Sequence, residues 1–548
     1  MSKRTTVLGF VLVGLLSAGA LTYSLLGRAV RIDKYSACEQ SPRIYPDYSQ
    51  TVVPPNIAPL NFMVKEKGSY YFVKIYSGKG RAIEVSSRSP KISIPIDPWH
   101  KLLDANRGSE LNFDVFVRTD KKLWTKFGTI TNKIANEDID NYLVYRRMFP
   151  THILITAHIG IYQRNLSNFD EKLVLDTPGR IDNNYVTKCV NCHTFCINRP
   201  DKMVLGVRTE GQNKFFHYTL LIDGNSVSKV GTKFGYTSWH PSGKLAVYSI
   251  MDPRPFYRAV TSEVRDLFDV DSALVYFVVD SKTIKTSPEL SKKDRLENWP
   301  VWSVDGRYLY FCSAPMLWTN KTKLPPEGGY DSVRVKYDLV RISYDIEHDQ
   351  WGKVETMLSA KDTGLSIAMP RVSPDGRWLT FCMCEYGAFT PWQKSSDIYI
   401  MDLKAAEQTG RLASPKQSEG GYEYRRLEIN SDKCESWHTW STNSRWIAFS
   451  SKREYGTFTR SYISYVDENG KTYKPLVLPQ KDPEFYSHCL DTFNTPEFAV
   501  APIPATGETL ERVLRGSDEI SVEMPMTTAT PKTGAVPSSG YGEQPDKI

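Results

Sequence analysis

The chain has no Gly-x-Ser-x-Gly turn, no second Cys-x-x-Cys pair, no His-x3-His pair and no cluster of positive charge. Each absence removes a class of function. Without a nucleophile elbow, and with little chain left after its repeats to build an α/β-hydrolase domain, a serine hydrolase of that type is excluded. A zinc site would need a second pair of Cys or His ligands, and a thioredoxin-like dithiol would need a βαβ context; neither is present. No group of Met, His and Cys outside one short motif has copper-site spacing, which sets aside copper and quinone oxidoreductases. The net charge of +7 over 548 residues is spread among acids, so there is no nucleic-acid footprint. Helical periodicity is scarce as well, whereas aromatics make up 12% of the residues, a balance that suits strands.

The motif is Cys189-Val190-Asn191-Cys192-His193. Two thiols three positions apart can each add to a haem vinyl group, and the adjacent imidazole then serves as the proximal ligand of the iron. The reading is a single haem c attached through Cys189 and Cys192, with His193 on the iron. Seven further cysteines, at 38, 196, 312, 382, 384, 434 and 489, have pairings that spacing leaves open.

Lys3 and Arg4 precede an apolar run from Val7 to Leu26, which holds an Ala18-Gly19-Ala20 processing-like site. Residues 1–40 are therefore expected to be a signal peptide or an N-terminal membrane anchor. Covalent haem attachment in bacteria takes place outside the inner membrane, so the chain is expected in the periplasm, anchored or exported. Cys38 makes a poor lipoprotein site, because Tyr35 stands where Leu is wanted. From 41 to 150, alternating segments such as Tyr70–Tyr76 and Leu111–Val117 predict a small β-sandwich with no helix of note. His100 there reads as a surface or packing residue.

The rest is repetitive. Six apolar hairpins begin at Gly160, His217, Ala273, Leu339, Asp397 and Ser461. Between them recur strand–turn–strand segments: SWHPSGKLAVYS from Ser238, VWSVDGRYLYFCS from Val301, RVSPDGRWLTFC from Arg371 and TWSTNSRWIAFSS from Thr439. Four strands per repeat and six repeats predict a six-bladed β-propeller over 151–514, since each small sheet has faces that only its neighbours can bury. The first hairpin lacks an inner pair, and Thr495–Ala501 could supply a strand from the far end. Residues 515–548 read as a disordered tail.

The WSVDGRYLYF and VSPDGRWLTF segments resemble the WD40-like repeats of TolB-type six-bladed propellers. With CVNCHTF added, residues 42 to 505 resemble a group of exported TolB-like propeller proteins of the Bacteroidetes that carry a C-x-x-C-H motif. That resemblance implies a periplasmic propeller with a c-type haem and implies no reaction. The resembling proteins have a His near the position of Gly206 in this chain, which leaves the sixth ligand open.

Candidates for that ligand are Met203, then His158 and His217; His240 stands where the turns recur and is expected to serve one. Arg199 and Arg208 could pair with propionates or be ordinary solvated charges. Electron transfer with a redox partner protein, a multihaem cytochrome being one form of it, is the leading expectation. The alternatives are a binding or scaffold propeller with a structural or sensory haem, and a haem enzyme with an open iron. Nucleic acid is not an expected partner.

Overall fold

The structure is a computed structural model that describes residues 32–119, 123–149, 158–177, 186–211, 214–257, 265–318, 334–404 and 424–523. The apolar run 7–26 and most of the segment read as a tail lie outside these residues. Among the described residues no helix is long and apolar enough to cross a membrane.

The first part of the chain contains β1 (Tyr35–Ala37), β2 (Ile44–Tyr45), β3 (Val52–Val53), β4 (Phe62–Val64), β5 (Tyr70–Tyr76), β6 (Ile83–Ser87), β7 (Lys91–Ile92), α1 (Ile96–Ala105), β8 (Glu110–Arg118), β9 (Trp124–Lys126) and β10 (Ile130–Ile134). They form a seven-stranded and a three-stranded sheet. The alternating segments pair as their period requires, β5 running antiparallel to β8 from Tyr70↔Arg118 to Tyr76↔Asn112. Helix α1 corrects the expectation of an all-strand segment. Trp99, Leu102 and Leu103 fall at helical spacing and are buried, and the Trp99 indole donates to the Ile57 carbonyl at 2.9 Å.

The remaining strands are β11 (Tyr142–Met148), β12 (Ile159–Asn165), β13 (Glu171–Asp176), β14 (Val186–Cys196), β15 (Arg199–Gly211), β16 (Lys214–Asp223), β17 (Ser226–Val230), β18 (Gly235–Trp239), β19 (Leu245–Tyr257), β20 (Arg265–Val278), β21 (Thr283–Lys285), β22 (Arg295–Trp302), β23 (Tyr308–Pro315), β24 (Asp338–Asp345), β25 (Gln350–Leu358), β26 (Ser366–Val372), β27 (Trp378–Cys384), β28 (Asp397–Asp402), β29 (Tyr424–Arg426), β30 (Glu435–Trp440), β31 (Trp446–Ser451), β32 (Arg460–Tyr465), β33 (Leu476–Val477) and β34 (Thr492–Ala499). Five sheets are consecutive four-strand meanders starting at β14, β18, β22, β26 and β30, and a sixth has the order β13-β12-β11-β34. The first strand of each meander packs beside the first strand of the next, and β34 lies against both β30 and β14. Contact thus passes round all the sheets and returns, which is a β-propeller arrangement. The sheet that β34 completes begins at Tyr142, upstream of the boundary read from sequence.

The first strand of every sheet carries the same irregularity. Register skips two residues between Gly235 and Ser238, Asn298 and Val301, Ala368 and Arg371, Ser436 and Thr439, and Asn494 and Glu497. At the first skipped residue the backbone is left-handed, with φ of 40° at Tyr236, 54° at Trp299, 54° at Met369, 51° at Trp437 and 48° at Thr495. Such bulges turn side chains out of the pleat. Here they bring Tyr236 onto Trp299 (centroids 3.4 Å apart), with Trp437 at 5.3 Å from Trp299 and 6.4 Å from Tyr236. These residues come from three different sheets, so aromatic rings fill the middle of the ring at this level.

The recurring turns interlock neighbouring sheets. Ser303 Oγ donates to Asp305 at 2.6 Å and Ser441 Oγ to Asn443 at 2.6 Å, and His240 takes the same position beside Ser242 Oγ at 2.7 Å. His240 Nε2 also meets the Gly306 carbonyl at 3.2 Å. Gly306 has φ of 73°, and a Cβ there would stand 2.3 Å from that nitrogen. The Gly306→Ala variant should therefore lose about 2 kcal/mol or more in denaturant unfolding, from strain and overlap together; an unchanged midpoint would show that the contact is not made.

A further helix, α2 (Gly507–Arg515), starts at Thr506, whose hydroxyl accepts from Thr509 N at 3.2 Å. It buries Leu510 and Leu514 in the apolar layer shared by the first two sheets. Residues 516–523, read as the start of a disordered tail, instead run along β17, with Ile520 bridged to Val230.

Candidate functional site

The Cys-x-x-Cys-His motif lies on β14, the innermost strand of its sheet. Register passes from Asn191↔Gly206 directly to Thr194↔Val204, so the bulge common to the inner strands falls on Cys192 and His193. By position Cys192 matches the left-handed Tyr236, Trp299, Met369, Trp437 and Thr495. His193 matches Thr237, Pro300, Pro370, His438 and Pro496, all buried. The Asn191 and Cys192 side chains lie outside the described residues. After the motif the chain reverses through Ile197 and Asn198, both left-handed at 52° and 55°, instead of the turn used elsewhere.

The His193 side chain is 5% exposed, and neither ring nitrogen has a hydrogen-bond partner. Burial pushes its pKa down to about 4, the charge of Arg146 acts in the same direction, and the Val144 backbone opposes them weakly. The ring is therefore neutral at ordinary pH, the form that binds a metal. Cys189 is buried and packed with Met148 of β11 and Ile159 of β12. Across the sheet it shares register with Arg208, and Arg208 with His217.

The other candidates are distributed unevenly around this point. Met203 is fully buried between the first two sheets, in an apolar cluster with Phe195, Leu205 and Ile222. His158 precedes Ile159 and meets the Tyr162 hydroxyl at 3.4 Å. His217 Nε2 is buried without a partner, and burial, Lys233 and Arg208 hold its pKa down at about 4. Arg199 is an exposed partner of Asp201 at 2.7 Å, whereas Arg208 is buried. His240 is committed to its turn, and His100 meets the Ile57 carbonyl at 3.2 Å. Sequence reading missed Met148, whose strand had been placed in the preceding domain; only the pairing of β11 with β12 and β34 reveals its position.

Glu497 ties β34 to the motif strand. Its Oε1 accepts from Thr194 Oγ1 at 3.0 Å and Phe195 N at 2.9 Å. Burial pushes its pKa up to about 7 against those bonds and the charge of Arg371. A carboxyl whose pKa is raised on folding adds stability below its unfolded value and loses it as pH climbs through the folded one. Unfolding free energy should thus fall between about pH 4.5 and 7, and Glu497→Gln should flatten that slope while keeping the acceptor oxygen. Identical pH profiles for both proteins would contradict this.

A buried imidazole with no hydrogen bond at either ring nitrogen, directly after Cys192 and four positions after the buried Cys189, has the donor set of a c-type haem. Cys189 and Cys192 would hold it and His193 would ligate the iron. Among the described residues no three His, Cys, Asp or Glu side chains converge as a separate metal site.

No family model matches the sequence, and no curated protein is similar to it. Among solved structures, oligogalacturonate lyase in complex with manganese is 11% identical over 75% of this chain and 97% of its own, with a TM-score of 0.31. An auxiliary nutrient binding protein from Bacteroides thetaiotaomicron is 12% identical over 81% and 86%, with a TM-score of 0.31. The Synechocystis apocarotenoid oxygenase is 9% identical over 82% and 95%, with a TM-score of 0.34. Similarity this low says nothing about what this chain binds or transforms.

Proposed function

We propose that the chain is a periplasmic monohaem c-type protein of electron transfer, held at the inner membrane by its N-terminal segment. In this reading a small β-sandwich precedes a six-bladed TolB-like propeller, which presents the haem to a redox partner protein such as a multihaem cytochrome. The observation that carries the proposal is His193, a neutral, buried imidazole with no partner, directly after Cys192 on an inner strand. The bound haem would supply a one-electron couple. The chain's own contribution is to fix the ring of His193 in a rigid wall, to anchor through two thiols, and to place the buried cation Arg208 beside Cys189 where it could offset propionate charge.

A second reading has one observation in its favour. Met203 is enclosed by apolar side chains, which suits packing better than ligation. An open iron that binds a gas or a substrate is then the alternative.

The test is a pyridine haemochrome spectrum, with carbon monoxide titration, on protein exported alongside haem-maturation machinery. One haem c per chain that resists carbon monoxide supports electron transfer. Rapid carbon monoxide binding moves the case to the open-iron reading, and absence of a haemochrome signal refutes both.

A further inference from the structure

Away from the motif, the interface between the sheets β18–β21 and β22–β25 buries a group of oxygen atoms whose hydrogen-bonding capacity is unmet. Asp269 of β20 is 7% exposed; its Oδ2 accepts from Asn298 Nδ2 at 2.9 Å, and its Oδ1 accepts from nothing. Asn298 of β22 is wholly buried, and its own Oδ1 is equally unpartnered. Ser272 of β20 is buried with a hydroxyl group that has no partner. The Tyr337 hydroxyl, just ahead of β24, is close enough to feel Ser272 and Asn298, and burial together with the Asp269 charge holds its proton.

Buried polar atoms are nearly always satisfied, so several together need an explanation. The chemistry of this group is one-sided. Carboxylate and amide oxygens are acceptors, and a hydroxyl can present a lone pair as readily as its proton. Among the described residues Asp269 has no ion pair to neutralise it. Burial pushes its pKa up to about 7, with the charges of Asp252 and Asp271 adding to the rise and the Asn298 bond opposing it. What the group lacks is positive charge, and a compact cation that accepts oxygen ligands supplies it without needing a donor hydrogen.

We propose that Asp269, Asn298, Ser272 and Tyr337 form a site for a hard, oxygen-liganded cation, calcium being the one it suits. Calcium tolerates the mixture of carboxylate, amide and hydroxyl oxygens that two sheets can offer, and does not demand strict octahedral geometry. Bound there it ties one sheet of the ring to the next. The site is independent of the haem reading.

The test uses the full-length exported protein, treated with a chelator and dialysed. Adding calcium chloride well above its dissociation constant should raise Tm by about 3 to 6 °C, and equilibrium dialysis should find close to one calcium per chain. Sodium chloride at equal ionic strength should do neither. Asp269→Asn, which keeps the shape and the Asn298 contact, should abolish the calcium-dependent shift. Should that variant fail to fold, Ser272→Ala removes a single oxygen and should weaken calcium binding at least about tenfold, a loss of ~1.4 kcal/mol. An equal shift with sodium chloride, no bound calcium, or a full calcium response in the foldable variant would each overturn the proposal.

Discussion

A chain that ends at Asp491 should lose the single cooperative melt of the full protein and become sensitive to protease throughout its repeats. The expectation follows from what β34 does. It pairs with β11 from Tyr142↔Ala499 to Met148↔Thr492 and packs on β30. Phe493 and Phe498 are wholly buried, Phe493 against Tyr145 at 5.3 Å and Tyr486 at 6.0 Å. Two such side chains account for about 3 to 6 kcal/mol of burial, comparable to the ~5–15 kcal/mol by which a domain is stable. Removal also leaves the backbone of β11 as an open edge beside that of β14, and an unpaired edge invites association. A chain ending at Pro504, which keeps β34 and loses only α2 and the strap on β17, should still melt cooperatively at a lower midpoint. If the shorter chain melts like the full one, β34 does not close the ring.

The second large effect is chemical. On the proposed reading the parent should show the mass of one haem under denaturing conditions, and with Cys189→Ser and Cys192→Ser combined the intact mass should read as bare polypeptide. The sheet should survive, because Ser fills nearly the volume of Cys and β15 still pairs along β14. His193→Ala keeps both thiols and should keep a covalent haem, with its low-spin spectrum lost and carbon monoxide binding gained. Comparing Met148→Ala with Met203→Ala then assigns the sixth position: the residue whose loss removes a sulfur-to-iron band and opens the iron is the ligand. If neither variant changes the spectrum while His158→Ala or His217→Ala does, the pair of ligands is bis-histidine and the potential should be lower. A haem that acid-acetone extracts from the parent protein would end the covalent reading altogether.

What could be read in the residues followed from local physics. The hairpins from Gly160, His217, Ala273, Leu339 and Ser461 are present as outer strand pairs, because alternation and turn chemistry are short-range signals; of the one from Asp397 the first strand is β28, most of the rest of the stretch lies outside the described residues, and β28 pairs with the later β29. The strand at Thr492–Ala499 could be suspected only because the first hairpin lacked companions. Tyr142–Met148 escaped because its partner on one side is β34, hundreds of positions away. Helix α1 was missed since a ten-residue stripe with Pro98 and two charged neighbours looks like loop. The inner-strand bulges were not legible either. Left-handed backbone is advertised by glycine, and here Tyr236, Trp299, Met369 and Trp437 occupy it, held by packing on neighbouring sheets. The five letters of the motif suggest a haem, but nothing in them says that they lie across such a bulge, or that Met148 is next to Cys189.

The closing strand has a consequence for how the protein is made. Cys189 and His193 are buried once the ring is complete, at 7% and 5% exposure, yet thiols must be reached before haem can be attached to them. On the proposed reading, attachment would therefore belong to the interval before β34 meets β11. Pairing that strand with one from the start of the ring closes a very long loop, the kind of contact that forms slowly. If the proposed haem is attached, late closure would keep the motif within reach of maturation machinery, and a variant that closed its ring faster would be expected to yield folded, haemless chains.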